Sequence, residues 1–102
     1  MQSVVIDLAG NYDRSRLEAV LSDQIREQAL IRVKGQLVQP DRTHPLQIQA
    51  VGPRIECWYE RRSSHQQETV TETPMPGLRL VALGLQVKAE RLEQALALAL
   101  VP

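Results

Sequence analysis

Two neighbouring segments of the chain alternate strictly between apolar and polar residues, and this pattern constrains the fold more than any other feature. In residues 31–37 the odd positions carry Ile, Val, Gly and Leu, whereas the even positions carry Arg, Lys and Gln. In residues 46–50, Leu, Ile and Ala alternate with two glutamines. A period of two predicts strands that are buried on one face only. Residues 40–45 are turn-forming, and so short a connection predicts that the two strands run antiparallel.

Two other segments show the spacing of amphipathic helices. In the first, apolar residues recur at intervals of three and four, at Leu17, Val20, Leu21 and Ile25. Asp13 precedes this stripe, and its carboxylate can accept hydrogen bonds from the free N–H groups of a first helical turn. We therefore expect a helix over residues 13–27. A second stripe, within residues 92–100, predicts a closing helix.

Three further segments have the pattern of strands. Residues 3–9 are rich in Val and Ile, and residues 78–85 form an apolar run. Residues 54–60 alternate again after the interruption at Gly52 and Pro53. That interruption permits either a bulge that continues the preceding strand or a tight turn that starts a new one. We expect one long, bent strand.

The resulting order of elements is β-α-β-β-β-α. Two amphipathic helices and a mainly antiparallel sheet of about four strands predict an α+β fold, a two-layer sandwich with both helices packed on one face. The length of 102 residues predicts a single domain over residues 1–102. Residues 61–77 lose the apolar periodicity and are expected to form a polar connector.

The charge balance and the scarcity of aromatic residues exclude several classes of function. The chain has 12 Lys and Arg against 12 Asp and Glu, and aromatic residues make up 3% of it. Nucleic-acid binders need an excess of cations, and single-strand binders need aromatic platforms, so we expect no nucleic-acid partner. No apolar run reaches the roughly 18 residues of a membrane span, and no signal peptide is recognisable. We therefore expect a cytoplasmic protein with no membrane association.

Residue types that take part in catalysis are present, but they are not in catalytic arrangements. The five glycines are scattered singly rather than gathered in a phosphate-binding loop. Ser64 and His65 are adjacent, yet they lie in the polar connector rather than in a preorganised dyad. The sequence therefore predicts no catalytic residue and no cofactor in this domain.

Three residues are the candidates for a metal site, namely His44, His65 and Cys57. They lie on two loops and a strand, without the spacing of known ligand sets, whereas zinc needs three or four converging ligands. The favoured interpretation is two surface histidines and a cysteine that packs as a small apolar residue.

The polar face of the predicted sheet supplies the candidates for a partner interface, which are Arg32, Lys34, Gln47 and Gln49. Charged residues on such a face also have a plain structural role, because they protect an exposed sheet from aggregation. Trp58 is the only tryptophan and falls on the polar parity of its strand. It fits either the edge of the core or an exposed anchor of the kind that interfaces favour.

Short motifs on these strands resemble the C-terminal domain of the CobW family of P-loop GTPases. That domain carries an R-x-K-G strand, matched here by Arg32, Lys34 and Gly35, and a strand ending in Q-x-V-G, matched by residues 49–52. A later strand that ends in a glycine and a closing helix with a leucine stripe extend the resemblance over nearly the whole chain. The connector after Trp58 differs from the family pattern, and the His-rich tract of many members is absent from this sequence.

The resemblance implies an accessory domain of a GTP-dependent metallochaperone or metal-insertion factor, of the kind that handles zinc or the cobalt of cobalamin synthesis. The family's nucleotide loop and Cys-x-Cys-Cys motif belong to its GTPase domain, so no enzymatic activity is implied for this chain. The implied partners are the GTPase domain of a CobW-like protein or a client metalloprotein, and a homo-oligomer remains open. The alternative function is a small-ligand or metal sensor that uses the loop histidines His44 and His65.

Overall fold

The computed structural model describes residues 1–40, 42–59 and 75–101. Along these residues the elements are β1 (Gln2–Ala9), α1 (Arg14–Glu27), β2 (Leu30–Val38), β3 (Leu46–Val51), β4 (Arg54–Tyr59), β5 (Gly77–Gly84) and α2 (Ala89–Leu96). A short 3₁₀ turn, Ala97–Ala99, follows α2. The predicted α+β class is confirmed, with five strands in the sheet where about four were expected.

Helix α1 begins where the sequence predicts it. The Asp13 carboxylate accepts a hydrogen bond from the main-chain N–H of Arg16 at 3.0 Å, so the cap is formed by the expected side chain. The apolar stripe of the helix is buried at Leu17, Leu21 and Ile25. Local capping and apolar spacing are therefore sufficient to define this element.

The strands form one sheet in the order β1-β5-β2-β3-β4. Every neighbouring pair is antiparallel. The last strand in the sequence, β5, lies between the first two, so it pairs with both β1 and β2. This insertion places β1 at one edge of the sheet and β4 at the other.

The expectation of one long, bent strand across residues 46–60 is wrong. The chain turns back at Gly52 and Pro53, and Val51 pairs directly with Arg54, so β3 and β4 form a tight hairpin. Gly52 has a φ of +57°, and a positive φ is what the first central position of a two-residue hairpin turn requires. Glycine adopts that φ without steric cost, which makes the turn favourable here.

The core lies between the helices and one face of the sheet. One cluster joins the apolar stripes of α1 and α2 with the inward row of the sheet. Its largest fully buried side chains are Ile6, Leu17, Leu21, Val33, Leu37, Leu46, Ile48, Leu78, Leu80, Leu92 and Leu96. The predicted two-layer arrangement, with both helices on one face, is thus confirmed.

The start of β2 departs from the predicted alternation. The pairing with β5 shifts register between Leu30 and Arg32, which is a bulge. Leu30 is consequently buried, whereas Ile31, expected on the core side with Val33, is 39% exposed. The main-chain carbonyl of Ile31 accepts a hydrogen bond from Gly52 instead.

The predicted connector over residues 61–77 lies mostly outside the described residues. Its last position, Gly77, already belongs to β5. Within the part of the chain that is described, neither helix has the length and apolar character needed to cross a membrane.

Candidate functional site

The second face of the sheet, which we call the open face, carries no helix among the described residues. Its side chains align in three rows that cross the strands in sheet order. The middle row is Val5, Val81, Lys34, Gln49 and Glu56. One flanking row is Asp7, Arg79, Gln36, Gln47 and Trp58. The other flanking row is Ser3, Leu83, Arg32, Val51 and Arg54.

The open face carries an excess of positive charge, although the whole chain is neutral. Its exposed charged residues are the cations Arg32, Lys34, Arg54 and Arg79 and the carboxylates Asp7 and Glu56. The ion pairs formed within the described residues all lie on the helices, as Arg14–Glu18, Arg26–Asp23 and Arg91–Glu27. The charges of the open face therefore do not neutralise one another in ion pairs within the described part of the chain.

Apolar side chains interrupt this charged surface. The exposed fractions are 59% for Val5, 54% for Val51 and 42% for Val81. Trp58 lies at the β4 edge of the same face and is 43% exposed. Its parity allowed a position at the edge of the core or an exposed position, and the observed exposure fits the second. The open face therefore combines aliphatic groups, an aromatic ring and cations on one exposed surface.

The four interface candidates predicted from alternation lie on neighbouring strands of the open face; they are Arg32, Lys34, Gln47 and Gln49. Lys34 pairs with Gln49, and the Gln47 side-chain amide donates to the Gln36 carbonyl oxygen at 3.2 Å. The sequence prediction missed Arg79 and Val81, which adjoin Gln36 and Lys34 through β5. The alternation of β5 is visible in the sequence, but its position between β1 and β2 is not, because that position depends on pairing distant in sequence.

A comparison with protein families decides what kind of domain this is. The family model described as the cobalamin synthesis protein cobW C-terminal domain matches residues 1–100. The chain belongs to the CobW C-terminal domain family. No curated protein sequence matches it significantly.

Solved structures show the same fold within longer chains. The Zn(II)-bound YjiA GTPase from E. coli matches this CobW C-terminal domain with a TM-score of 0.72 and 24% identity, over 96% of this chain and 29% of that chain. A Zn(II)-bound triple mutant of YjiA matches with a TM-score of 0.74 and 24% identity, over 98% of this chain and 30% of that chain. The chain thus spans less than a third of the length of these GTPases.

The structure does not assemble the metal candidates of this CobW C-terminal domain. His44 is exposed in the segment between β2 and β3, whereas Cys57 is half-buried on the core-facing row of β4. Within the described ranges, no three His, Cys, Asp or Glu side chains converge in a way that could hold a metal ion. His65 lies outside the described residues.

Two clefts lie on the surface of the described residues. One lies at the junction of the C-terminal end of α1 with the start of α2, and the other lies along the N-terminal half of α2. The lining residues of the two clefts are Glu27, Gln28, Ala29, Leu85, Gln86, Lys88, Ala89, Glu90, Arg91 and Gln94.

A network of polar contacts fastens β4 to the rest of the domain. The Arg14 guanidinium donates to the main-chain carbonyl of Cys57 at 3.3 Å and pairs with Glu18 at 3.0 Å. The Tyr59 hydroxyl donates to the Gln39 side-chain oxygen at 2.9 Å. The guanidinium carbons of Arg14 and Arg42 lie 5.4 and 4.4 Å from the centre of the Tyr59 ring. Except for the i, i+4 pair of Arg14 and Glu18, these partners are distant in sequence, so no local pattern could have identified the contacts that hold β4.

The Cys57 side chain is half-buried and packs against the edge of the core. Burial, with the nearby Glu18 carboxylate as the next cause, raises the pKa of the Cys57 thiol from 9.0 to about 11. The thiolate is the form that acts as nucleophile or metal ligand, so this environment disfavours both roles.

The raised pKa of Cys57 predicts a loss of stability in alkaline solution. As pH rises above 9.0, the thiol of the unfolded chain loses its proton before the thiol of the folded chain does, so unfolding becomes more favourable up to a pH of about 11. We expect the unfolding free energy, measured with urea under reducing conditions, to fall more in the parent chain than in Cys57→Ala between about pH 7 and pH 10. Equal falls in the two proteins would show that Cys57 titrates as an ordinary solvated thiol.

Proposed function

We propose that this CobW C-terminal domain is a non-catalytic accessory module that docks on the GTPase domain of a CobW-type metallochaperone. The observation that carries the proposal is the open face, an exposed sheet surface with four cations, two carboxylates and the exposed side chains of Val5, Val51 and Val81. The family supports the choice of partner, because the similar YjiA structures contain this fold in a chain that is named a GTPase and is about three times as long.

We assign each predicted interface residue a role in this docking. Arg32 and Lys34 supply charge from the central strand β2, and Gln47 and Gln49 supply donors and acceptors from β3. Trp58 is the aromatic anchor at the β4 edge, since large aromatic side chains contribute disproportionately to binding when a partner buries them. The helices carry their own ion pairs and complete the core on the opposite side.

The excess of cations defines the complementary surface. A GTPase domain that binds here would present carboxylates opposite Arg32, Lys34 and Arg79 and aliphatic groups opposite Val51 and Val81. Such charge complementarity raises the association rate and selects the partner more than it raises affinity. A client metalloprotein with the same surface chemistry would occupy the same face.

Mapping the footprint of the partner tests this proposal. We expect that titrating the ¹⁵N-labelled domain with the separately produced GTPase domain of a CobW-type protein from the same organism shifts the Trp58 indole resonance and the amide resonances of β2 and β3. Resonances on the outer surfaces of α1 and α2 should remain in place. A footprint confined to the helices, or no shifts at a saturating concentration of the partner, would contradict the proposal.

A further inference from the structure

The two edge strands of the sheet, β1 and β4, differ in how well they are protected against pairing with a further strand. An edge strand exposes unpaired main-chain groups, and proteins usually block them with Lys, Pro, bulges or short strands. Strand β4 follows Pro53, carries Arg54 and Glu56, and has its Cys57 carbonyl occupied by the Arg14 guanidinium. Strand β4 is therefore well protected against pairing with another strand.

Strand β1 lacks most of these protections, although the main-chain carbonyl of Ala9 at its end accepts a hydrogen bond from the Tyr12 hydroxyl at 3.5 Å. It is eight residues long and pairs with β5 in unbroken register from Gln2 to Ala9. It contains no Lys, Arg or Pro, and Asp7 is its only charge. Within residues 1–40, 42–59 and 75–101, no other strand pairs with its outer side. It therefore offers a long, straight row of main-chain donors and acceptors.

The side chains of β1 are also incompletely covered on both faces of the sheet. On the helical face, Val4 and Leu8 pack against the core but stay partly exposed. On the open face, Val5 is 59% exposed. A strand added beside β1 would cover apolar surface on both sides, in addition to forming main-chain hydrogen bonds.

We propose that the occupant of this edge is β1 of a second copy, which joins two sheets antiparallel about a two-fold axis at Val5. In this register Val5 meets Val5 of the other copy, Val4 meets Ile6, and Asp7 meets Ser3. Over residues 3–7 each apolar side chain faces an apolar one, and the Asp7 carboxylate faces a hydroxyl that can donate to it, whereas Leu8 at the end of the pairing meets Gln2. Cross-strand pairs of these kinds stabilise an antiparallel ladder.

The position of Asp7 disfavours the registers in which the axis lies closer to it. An axis at Asp7 would set two carboxylates directly opposite each other, which is destabilising. An axis at Ile6 would set Asp7 opposite Val5.

The two-fold axis that relates two antiparallel strands of one sheet is perpendicular to the sheet. It therefore keeps the helices of both copies on one side and both open faces on the other. The dimer therefore leaves the open face free and does not depend on the proposed docking.

Two lysine substitutions with similar exposure test the dimer. Val5→Lys places like charges opposite each other at the axis, whereas Val51→Lys adds the same charge at a 54% exposed position on β3. We expect sedimentation equilibrium to show a concentration-dependent dimer for the parent chain and for Val51→Lys, with dimerisation weakened at least about tenfold by Val5→Lys. Circular dichroism confirms that each variant is folded.

Disulfide cross-linking tests the register of the β1–β1 pairing without depending on the affinity of the dimer. Directly opposed residues of an antiparallel pair have Cα atoms about 4.5–5.5 Å apart, within the range of a disulfide. In a Cys57→Ser background, Val5→Cys should oxidise to a covalent dimer, whereas Val81→Cys on the adjacent strand should not. A parent chain that is monomeric at every concentration would overturn the proposal, as would a dimer that survives Val5→Lys or one that Val51→Lys disrupts equally.

Discussion

Replacing Gly35 with alanine is expected to lower the unfolding free energy by about 3 kcal/mol or more. Gly35 lies in β2 opposite Leu80 of β5, where two strands at the centre of the sheet approach each other closely. A Cβ at this position would overlap the main-chain oxygen of Arg79 and would lie 2.8 Å from the Cα of Leu80. Both atoms are backbone, so no change of rotamer relieves the overlap and the strands must separate. The loss would be a large share of the roughly 5–15 kcal/mol that stabilises a domain of this size.

The matched control for Gly35→Ala is Gly52→Ala in the β3–β4 turn. No atom lies within 4 Å of a Cβ built on Gly52, so only its φ of +57° opposes a side chain. That backbone strain costs roughly 1–2 kcal/mol. Urea denaturation monitored by circular dichroism compares the two variants directly. A Gly35→Ala variant as stable as Gly52→Ala would show that β2 and β5 are less closely packed than described.

The close approach of β5 to Gly35 also explains the glycine of the R-x-K-G motif. Gly35 closes the R-x-K-G motif on which the family resemblance rests, and its role becomes clear only when β5 is seen to pair with β2. In the sequence these two strands are about forty residues apart, with two other strands between them. The alternation of residues 31–37 predicts a strand, but it cannot indicate which strand approaches the glycine.

The elements that were predicted correctly are those that patterns of neighbouring residues in the sequence define. The stripe and the Asp13 cap define α1, and alternation defines β2 and β3, because burial on one side imposes a period of 3.6 or 2 on the apolar residues. The hairpin at Gly52 was missed for a related reason. A bulge and a two-residue turn both shift the parity of the apolar residues, so the pattern on either side of Gly52 fits both.

The candidate interaction face was predicted in part. Parity alone placed Arg32, Lys34, Gln47 and Gln49 on one face, since neighbouring strands of a sheet share their faces. The contribution of β5 and β1, which brings Arg79 and Val81 beside these residues, depends on the order of strands and on contacts distant in sequence. The bulge at Ile31 likewise follows from the pairing of β2 with two different neighbours, which no single segment encodes.

Reversing the charge at Arg32 and Lys34 is expected to weaken docking on the GTPase domain by about a hundredfold or more. Both side chains are exposed on the central strand of the open face, and Lys34 lies in its middle row. Replacing them with glutamate sets like charges against the carboxylates that the proposed partner presents. Because each side chain is solvated on an exposed face, Arg32→Glu and Lys34→Glu should leave the stability of the isolated domain nearly unchanged.

The matched control reverses two cations on the opposite side of the domain. Arg16 and Arg26 are exposed on α1, and Arg16→Glu with Arg26→Glu changes the net charge of the chain by the same amount. Any effect of net charge alone is therefore equal in the two double variants. At physiological salt, charges more than a Debye length of about 8 Å from the interface are largely screened, so this control should lose less than about threefold in affinity.

The affinity of these two double variants for the GTPase domain, measured side by side by isothermal titration calorimetry, tests the central claim most directly. If docking uses the open face, Arg32→Glu with Lys34→Glu should abolish binding or severely weaken the affinity. The double variant Arg16→Glu with Arg26→Glu should bind with the affinity of the parent domain. Equal affinity of both double variants, or a selective loss in the helix variant, would contradict the claim that the open face is the docking surface.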